Sequence, residues 1–310
     1  MIYGYDTSEK IKSDAKLNVL KYSGPYGKGA FIGRYLTNAP SGEDKCLEYD
    51  EVKFLSDNDI NIVSIFETYG GPLSYFTMAR GISDARASVA AATDLGQPSG
   101  KPIYFAVDIP IYVDNQNQVQ AIWEYFVGVS QILSDSNENP HGYTLGVYGC
   151  EGTCLTVRAV YPNAYTMQCN PKTNGSFSDW NLDQSQYNNG NPIWYNGVAV
   201  TIDVVTAQNG NYGGWKHTHT YPSNWTPSSD GIHHHKHCTN CGFVLKKKHS
   251  FPSAWSNYGN AKKHRKACTA CGAYKYEPHS PNAVGTKCTK CGYEGNIILP
   301  SATDGEDSNE

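Results

Sequence analysis

Four short apolar runs in this 310-residue chain end on a carboxylate: MIYGYD on Asp6, INIVSIFE on Glu67, KPIYFAVD on Asp108 and VAVTID on Asp203. Runs of this length, apolar throughout and separated by helical spacing, predict parallel strands buried on both faces. If such a sheet closes into a barrel, the C-terminal strand ends converge on one mouth and bring together residues distant in sequence. The four acids then meet at one place.

The intervening segments supply the helices. Ser8–Tyr22 has helical spacing, with Thr7 or Ser8 as its N-cap, and further helices are predicted around Asp44–Leu55, Tyr75–Leu95, Gln116–Leu133 and Glu151–Val160. Strands are predicted at AFIGRYL (30–36), YTLGVYG (143–149), AYTMQCN (164–170) and near Trp180–Tyr187, with VAVTIDVV as the last. About eight strands in some 210 residues predict an α/β fold, a (β/α)8 TIM-type barrel, over residues 1–213. No glycine-rich phosphate loop follows the first strand, which counts against a nucleotide-binding open sheet.

Taken singly, an acid at a strand end is as well explained by capping the next helix, and Asp6 before TSEK fits that reading. Four together favour a site. Paired carboxylates beside aromatic rings suit glycosidic bond cleavage, one acid protonating the leaving oxygen while the other attacks or activates water. Tyr5, Tyr35, Phe66, Tyr69, Tyr104, Tyr148 and Trp180 lie near strand ends where rings could stack on sugars, and Arg34 lies near the end of the second strand. Tyr5, Arg34, Tyr35, Tyr69, Tyr148 and Trp180 are therefore the candidate substrate-binding residues, and Asp6, Glu67, Asp108 and Asp203 the candidate catalytic ones.

GYDTSE, GAFIGRYL, the strand ending in FE, PIYFAVD, GVYG and VTIDVV, in that order, resemble the glycoside-hydrolase-like domain of unknown function 1906, a relative of the family 25 lysozyme barrels. The resemblance covers residues 1 to about 210. It implies a barrel with an acidic mouth and a cell-wall polysaccharide as substrate, with Asp6, Glu67, Asp108 and Asp203 at the functional positions. Family 25 enzymes carry Asp-x-Glu at the end of the fourth strand, where this chain reads Asp108-Ile109-Pro110. Glu67 is then expected to donate the proton, with burial favouring its neutral form while Asp108 stays ionised.

Composition changes at Gly213. Up to that residue 13 Lys and Arg face 22 Asp and Glu, a balance of −9, whereas Gly214–Leu299 carry 12 against 3, a balance of +9. The basic part, 214–299, repeats with a period of 30 residues: His219, Trp225, His234, Cys238, Cys241 and Gly242 recur as His249, Trp255, His264, Cys268, Cys271 and Gly272. A third copy, ten residues shorter, keeps His279, Cys288, Cys291 and Gly292. Cys-x-x-Cys-Gly is a knuckle for a thiolate-bound ion, and two histidines complete a Cys2His2 set, so structural Zn2+ is expected in this module and no cofactor in the barrel. The preferred sets are His219, His234, Cys238 and Cys241, then His249, His264, Cys268 and Cys271. In the other scheme the His that opens a copy also closes the preceding set, so that His249 and His279 serve earlier sites. Disulfides are the alternative, but they leave the bracketing histidines without a role.

A +9 module attracts anionic polymers. The usual nucleic-acid finger places its cysteines before its histidines, an order absent here, so an anionic wall polymer or cell-wall polysaccharide is the expected partner rather than nucleic acid. The module resembles the His/Cys repeats appended to secreted Gram-positive proteins. No run reaches the roughly 20 apolar residues of a membrane span. No cleavable signal precedes Ile2, so a secreted or wall-associated protein, expected to be monomeric, would be a mature form or leave by another route. The acidic end, 300–310, is expected to be disordered. Cys150 and Cys154 either bridge or remain buried thiols, and Cys46 and Cys169 are undecided. These readings converge on a cell-wall glycoside hydrolase with a zinc-bound attachment module; the alternative is a non-catalytic glycan-binding protein of the same architecture, and a nucleic-acid-binding metalloprotein comes third.

Overall fold

The computed structural model describes residues 1–38, 42–171, 174, 177–218, 220–239 and 244–299. The acidic tail, His219 and Cys241 lie outside the described residues. Each acid-ended run contributes to a barrel strand. In chain order the elements are β1 (Ile2–Asp6), α1 (Asp14–Ser23), β2 (Phe31–Tyr35), α2 (Tyr49–Asp57), β3 (Asn61–Phe66), α3 (Met78–Asp94), β4 (Pro102–Val107), α4 (Gln116–Leu133), β5 (Thr144–Cys150), α5 (Glu151–Val160), β6 (Tyr165–Cys169), β7 (Leu182–Gln186), β8 (Ile193–Tyr195), β9 (Val198–Val200) and β10 (Asp203–Ala207). Side-chain caps fix three helix starts: Ser13 accepts from Lys16 N, Thr77 from Arg80 N and Asn115 from Gln118 N. The first helix thus begins at Asp14, and Thr7 instead donates its hydroxyl to Thr201 O at 2.6 Å.

Eight strands close a barrel in the order β1-β10-β7-β6-β5-β4-β3-β2. The pairs from β1 through β7 are parallel, but β10 is antiparallel to both β7 and β1, so the barrel is mixed and departs from the expected (β/α)8 pattern. The cause lies between β7 and β10. A parallel return needs a crossover, usually a helix, whereas this segment folds into the antiparallel β8–β9 hairpin and re-enters from the end that β7 left. The run VAVTIDVV is accordingly split between β9 and β10, and Asp203 opens its strand instead of ending it.

Strand alternation sorts the core into two layers. Phe31, Val63, Ile65, Tyr104, Tyr148, Met167, Leu182 and Val205 form one buried cluster inside the barrel, while Val19, Leu20, Ile62, Phe105, Phe126 and Val147 belong to a larger one between strands and helices. The compact barrel unit runs from Met1 to Thr218, past the change in composition at Gly213. Trp215 accounts for the difference: it is buried, bridges to Ile62, and donates its indole N–H to Ser64 Oγ at 2.9 Å.

The second unit, His219–Glu310, contains the sheets β11 (Thr226–Pro227), β12 (His233–His237), β13 (Val244–Lys248) and β14 (Lys263–Ala267), β15 (Tyr274–Pro278). Its buried side chains among the described residues are His234, Cys238, His264, Cys268, His279 and Cys288. This unit has no apolar core there; potential metal ligands occupy its interior.

Candidate functional site

The register carries the acids to one mouth. Asp6 ends β1 directly opposite Asp203, because β10 runs antiparallel and begins where β1 ends. Like charges paired in this way repel, and the barrel relieves them with one amide: Gln184 Nε2 on β7 donates to Asp6 Oδ2 at 2.9 Å and to Asp203 Oδ2 at 3.1 Å. Tyr148 donates its hydroxyl to Gln184 Oε1 at 2.8 Å, which fixes the amide's orientation. Tyr35 also donates to Asp6 Oδ2, at 3.3 Å, and Tyr187 N to Asp203 Oδ1. Burial, then Asp203 and Glu67, push Asp6 up to about 7, and burial also raises Asp203 against the opposing Tyr187 N–H. Gly33, opposite Asp6 on β2, leaves the room: a Cβ there would stand 3.2 Å from Asp6 Oδ1.

Across the mouth, Glu67 and Asp108 follow β3 and β4. They flank Gly70, whose added Cβ would lie 2.8 Å from Glu67 Oε1 and 2.7 Å from Asp108 Cβ. The backbone closes this corner with Asp108 N donating to Gly70 O at 3.0 Å. Burial and then Glu67 raise Asp108 to about 6, with Lys45 opposing. Lys45 donates to Glu67 Oε2, and its ammonium lies 4.2 Å from the centre of the Tyr35 ring. Lys45 thus pairs with Glu67, and Asp108, expected from sequence to stay ionised, is an acid whose pKa is raised.

Tyr35, Glu67, Asp108, Tyr148, Cys169, Asn170, Gln184, Gln186 and Asp203 line a cavity of about 420 Å³. It exposes hydroxyls, amides and carboxylates together, a lining suited to a polyhydroxylated ligand. Burial raises the Cys169 thiol to about 12, so it stays neutral and is no nucleophile.

Four expected substrate residues are placed elsewhere. Arg34 is fully buried: it pairs with Glu51 at 2.8 Å and donates to the carbonyls of Thr7 and Lys45. It holds the segment that presents Lys45, and the cavity does not reach it. Tyr5 is buried in the outer core layer with its hydroxyl on Gly27 O. Trp180 precedes β7 and lines a different depression with Arg158 and Asn211, and the exposed Tyr69 packs towards Tyr75. Sequence reading missed Gln184, Gln186 and Lys45. For the glutamines a signal existed, since Leu182, Gln184 and Gln186 alternate on the inward face of β7; Lys45 lies in a loop and gave none.

The repeats bring together two tetrads: His234, His249, Cys268 and Cys271, and His264, His279, Cys288 and Cys291. Within each, the ligand atoms all lie within 4.8 Å of one another. Cys268 Sγ is 3.4 Å from His234 Nδ1, Cys271 Sγ 3.3 Å from His249 Nδ1, and Cys288 Sγ 3.4 Å from His264 Nδ1. Neither preferred sequence set survives, because each tetrad takes the second His of one copy with the first His and both Cys of the next. The third copy's missing second His thus leaves no gap: His264 supplies it. His279 Nε2 faces Asn260 O at 2.8 Å, an outer contact that turns Nδ1 inward. At Cys268 burial raises the thiol, but the Ala270 and Cys271 N–H groups and His249 outweigh it and bring the value to about 5. His264 Nε2 is buried with no partner among the described residues. Two thiols and two imidazoles in these positions could hold a metal ion. Of the barrel cysteines, Cys46, Cys154 and Cys169 are free thiols, and Cys150 Sγ accepts from Ile111 N at 3.1 Å.

A family model described as the Rv2525c-like, glycoside hydrolase-like domain matches residues 25–235. Two uncharacterized proteins of Bacillus subtilis strain 168 align with the chain: FadG, 30% identical over 183 residues, and YbfG, 28% identical over 166. These alignments cover 58% and 49% of this chain but 29% and 22% of those longer proteins. Among solved structures, the Tat-secreted protein Rv2525c of Mycobacterium tuberculosis in complex with HEPES superposes with a TM-score of 0.54 at 18% identity, covering 69% of this chain and 98% of that one. Its complex with L-tartrate gives 0.53 at 19% identity. At this identity the likeness is one of fold.

Proposed function

Because the chain belongs to the Rv2525c-like, glycoside hydrolase-like family, we propose that its barrel cleaves a glycosidic bond in a cell-wall polysaccharide. The observation that carries this reading is the asymmetry of Glu67 and Asp108 about Gly70, one carboxylate paired with Lys45 and the other raised to about 6. In this scheme Asp108 gives its proton to the glycosidic oxygen as the bond to the anomeric carbon breaks. Glu67, paired with Lys45, attacks that carbon or takes the proton of the water that does. Asp203 and the Asp6–Gln184–Tyr148 network hold sugar hydroxyls on the other wall. The tetrads hold Zn2+, which matches two thiolates and two imidazoles; with an interior made of these ligands, the repeat unit requires the ion to fold. Its excess of cations attaches the protein to an anionic wall polymer outside the cell. No helix among the described residues is long and apolar enough to cross a membrane.

The test is to incubate the full chain with purified Gram-positive cell walls and follow turbidity and new reducing ends. Release of reducing ends, lost in Glu67→Gln and Asp108→Asn, is expected, and the anomeric configuration of the product reports whether Glu67 attacks directly. Sedimentation with the walls and no release would instead make the protein a non-catalytic wall-binding one.

A further inference from the structure

The sheet β14–β15 has two dissimilar faces. One carries His264 opposite Glu277 and Lys266 opposite Lys275, and turns His264 into the second tetrad. The other carries Lys263 and Arg265 opposite Pro278 and Tyr276, with Tyr274 one pair further along. On that second face the Arg265 guanidinium lies between two rings, 4.0 Å from the centre of Tyr274 and 4.6 Å from that of Tyr258. The Lys263 ammonium stands 4.6 Å from the centre of Tyr276, and Tyr276 is 5.9 Å from Tyr258 and 6.1 Å from Tyr274, centre to centre. Tyr274 and Tyr276 are 49% and 38% exposed, so two of the three rings offer open surface.

Charge on this face is uncompensated. Among the described residues, Lys263 and Arg265 have no carboxylate partner, and Glu277, the acid of this sheet, faces the other way and pairs with Lys275 and Lys290. The first copy lacks the feature: Ser228, His235, Val244 and Lys246 stand where the second has Tyr258, Arg265, Tyr274 and Tyr276. The cluster therefore belongs to one copy and is not a by-product of the repeat's fold.

We infer that Tyr258, Lys263, Arg265, Tyr274 and Tyr276 form a binding site for an anionic polysaccharide, a sugar ring stacking on the exposed tyrosines and its acidic group accepting from Arg265 and Lys263. Rings already stacked on a cation are held flat at low entropic cost, and aromatic side chains present a large rigid face to a sugar while their hydroxyls remain in water. Arg265 presents donors along the edge of its plane, where a carboxylate or phosphate can be gripped by two of them. The site rests on the reading of the repeats as the attaching unit and gives that unit a specific ligand in place of diffuse attraction.

The experiment uses the zinc-loaded full chain and three probes by affinity electrophoresis: polygalacturonate, glucosylated poly(glycerol phosphate) and a dT20 oligonucleotide. Arg265→Ala and Tyr274→Ala are expected to weaken binding of one or both glycan probes about tenfold, with zinc content unchanged. Lys247→Ala, on β13 and equal in charge lost to Arg265→Ala, is expected to weaken it less than twofold. Equal losses in Lys247→Ala and Arg265→Ala overturn the site while leaving attachment by net charge intact. Failure of the unaltered chain to bind any probe overturns both, and tighter binding of dT20 than of either glycan replaces the polysaccharide with single-stranded nucleic acid.

Discussion

Replacing Asp6 by Asn should stabilise the barrel at high pH and leave it unchanged at low pH. Asp6 is buried, and its pKa rises from an ordinary 3.8 to about 7 on folding. An acid with a raised folded-state pKa favours the fold below its unfolded value, and this contribution is lost as the pH climbs through the folded value. Three units at 1.36 kcal/mol each give a cost of about 4 kcal/mol once the pH is well above 7, an upper bound because Asp203 and Glu67 respond to the same charge. Asn copies the protonated acid: its oxygen can accept from Gln184 and Tyr35 as Oδ2 does, and its amide takes the place of Oδ1, which has no partner among the described residues. Urea unfolding of both proteins, followed at pH 3.0 and pH 8.5, should give matching barrel midpoints at the lower pH and a higher one for the variant at the upper. A difference that is the same at both values, or a less stable variant at pH 8.5, would falsify the placement of Asp6 as a buried acid beside a second carboxylate.

Hydrolysis that uses Asp108 as proton donor should decline as the pH rises through about 6, and a rate profile flat from pH 5 to 8 would remove it from that role. Arg34→Met leaves Glu51 buried without its cation and should cost about 3–5 kcal/mol, only part of it recovered when Glu51→Met is added, since the Ile11 N–H and the Thr7 and Lys45 carbonyls then lose their partners; thermal unfolding of the single and double variants decides this. Cys288→Ser should lower the zinc bound by the two tetrads from two ions to one in native mass spectrometry, with the His234–His249–Cys268–Cys271 ion retained; loss of both would mean that the tetrads do not fill independently.

The strands and their order were largely legible, because apolar runs ending on acids leave few alternatives to a closed, buried sheet. The direction of the last strand was not. The apolar character of VAVTID encodes no strand direction, and the β8–β9 hairpin, a tertiary choice, turns β10 over and puts Asp203 at its start. Arg34 illustrates a second limit: an arginine near a strand end looks the same whether it meets a substrate or, as here, a buried glutamate on the next helix. The pairing of Glu67 with Lys45 depends on where a loop comes to rest, which hydrophobic periodicity does not encode. In the repeats the ligand types were plain from spacing, but their grouping depends on how successive copies fold against one another.

That grouping alters what an interruption of the chain does. His234 and His249 lie before the loop 250–262, and Cys268 and Cys271 after it, yet all four meet at one centre. With the ion in place, a protease that opens this loop separates two pieces of polypeptide that remain clasped through coordination bonds. The clasp needs no oxidant to form, and it opens when the ion is withdrawn. A metal-loaded unit built this way would stay joined after a cut in this loop and come apart when the metal is withdrawn.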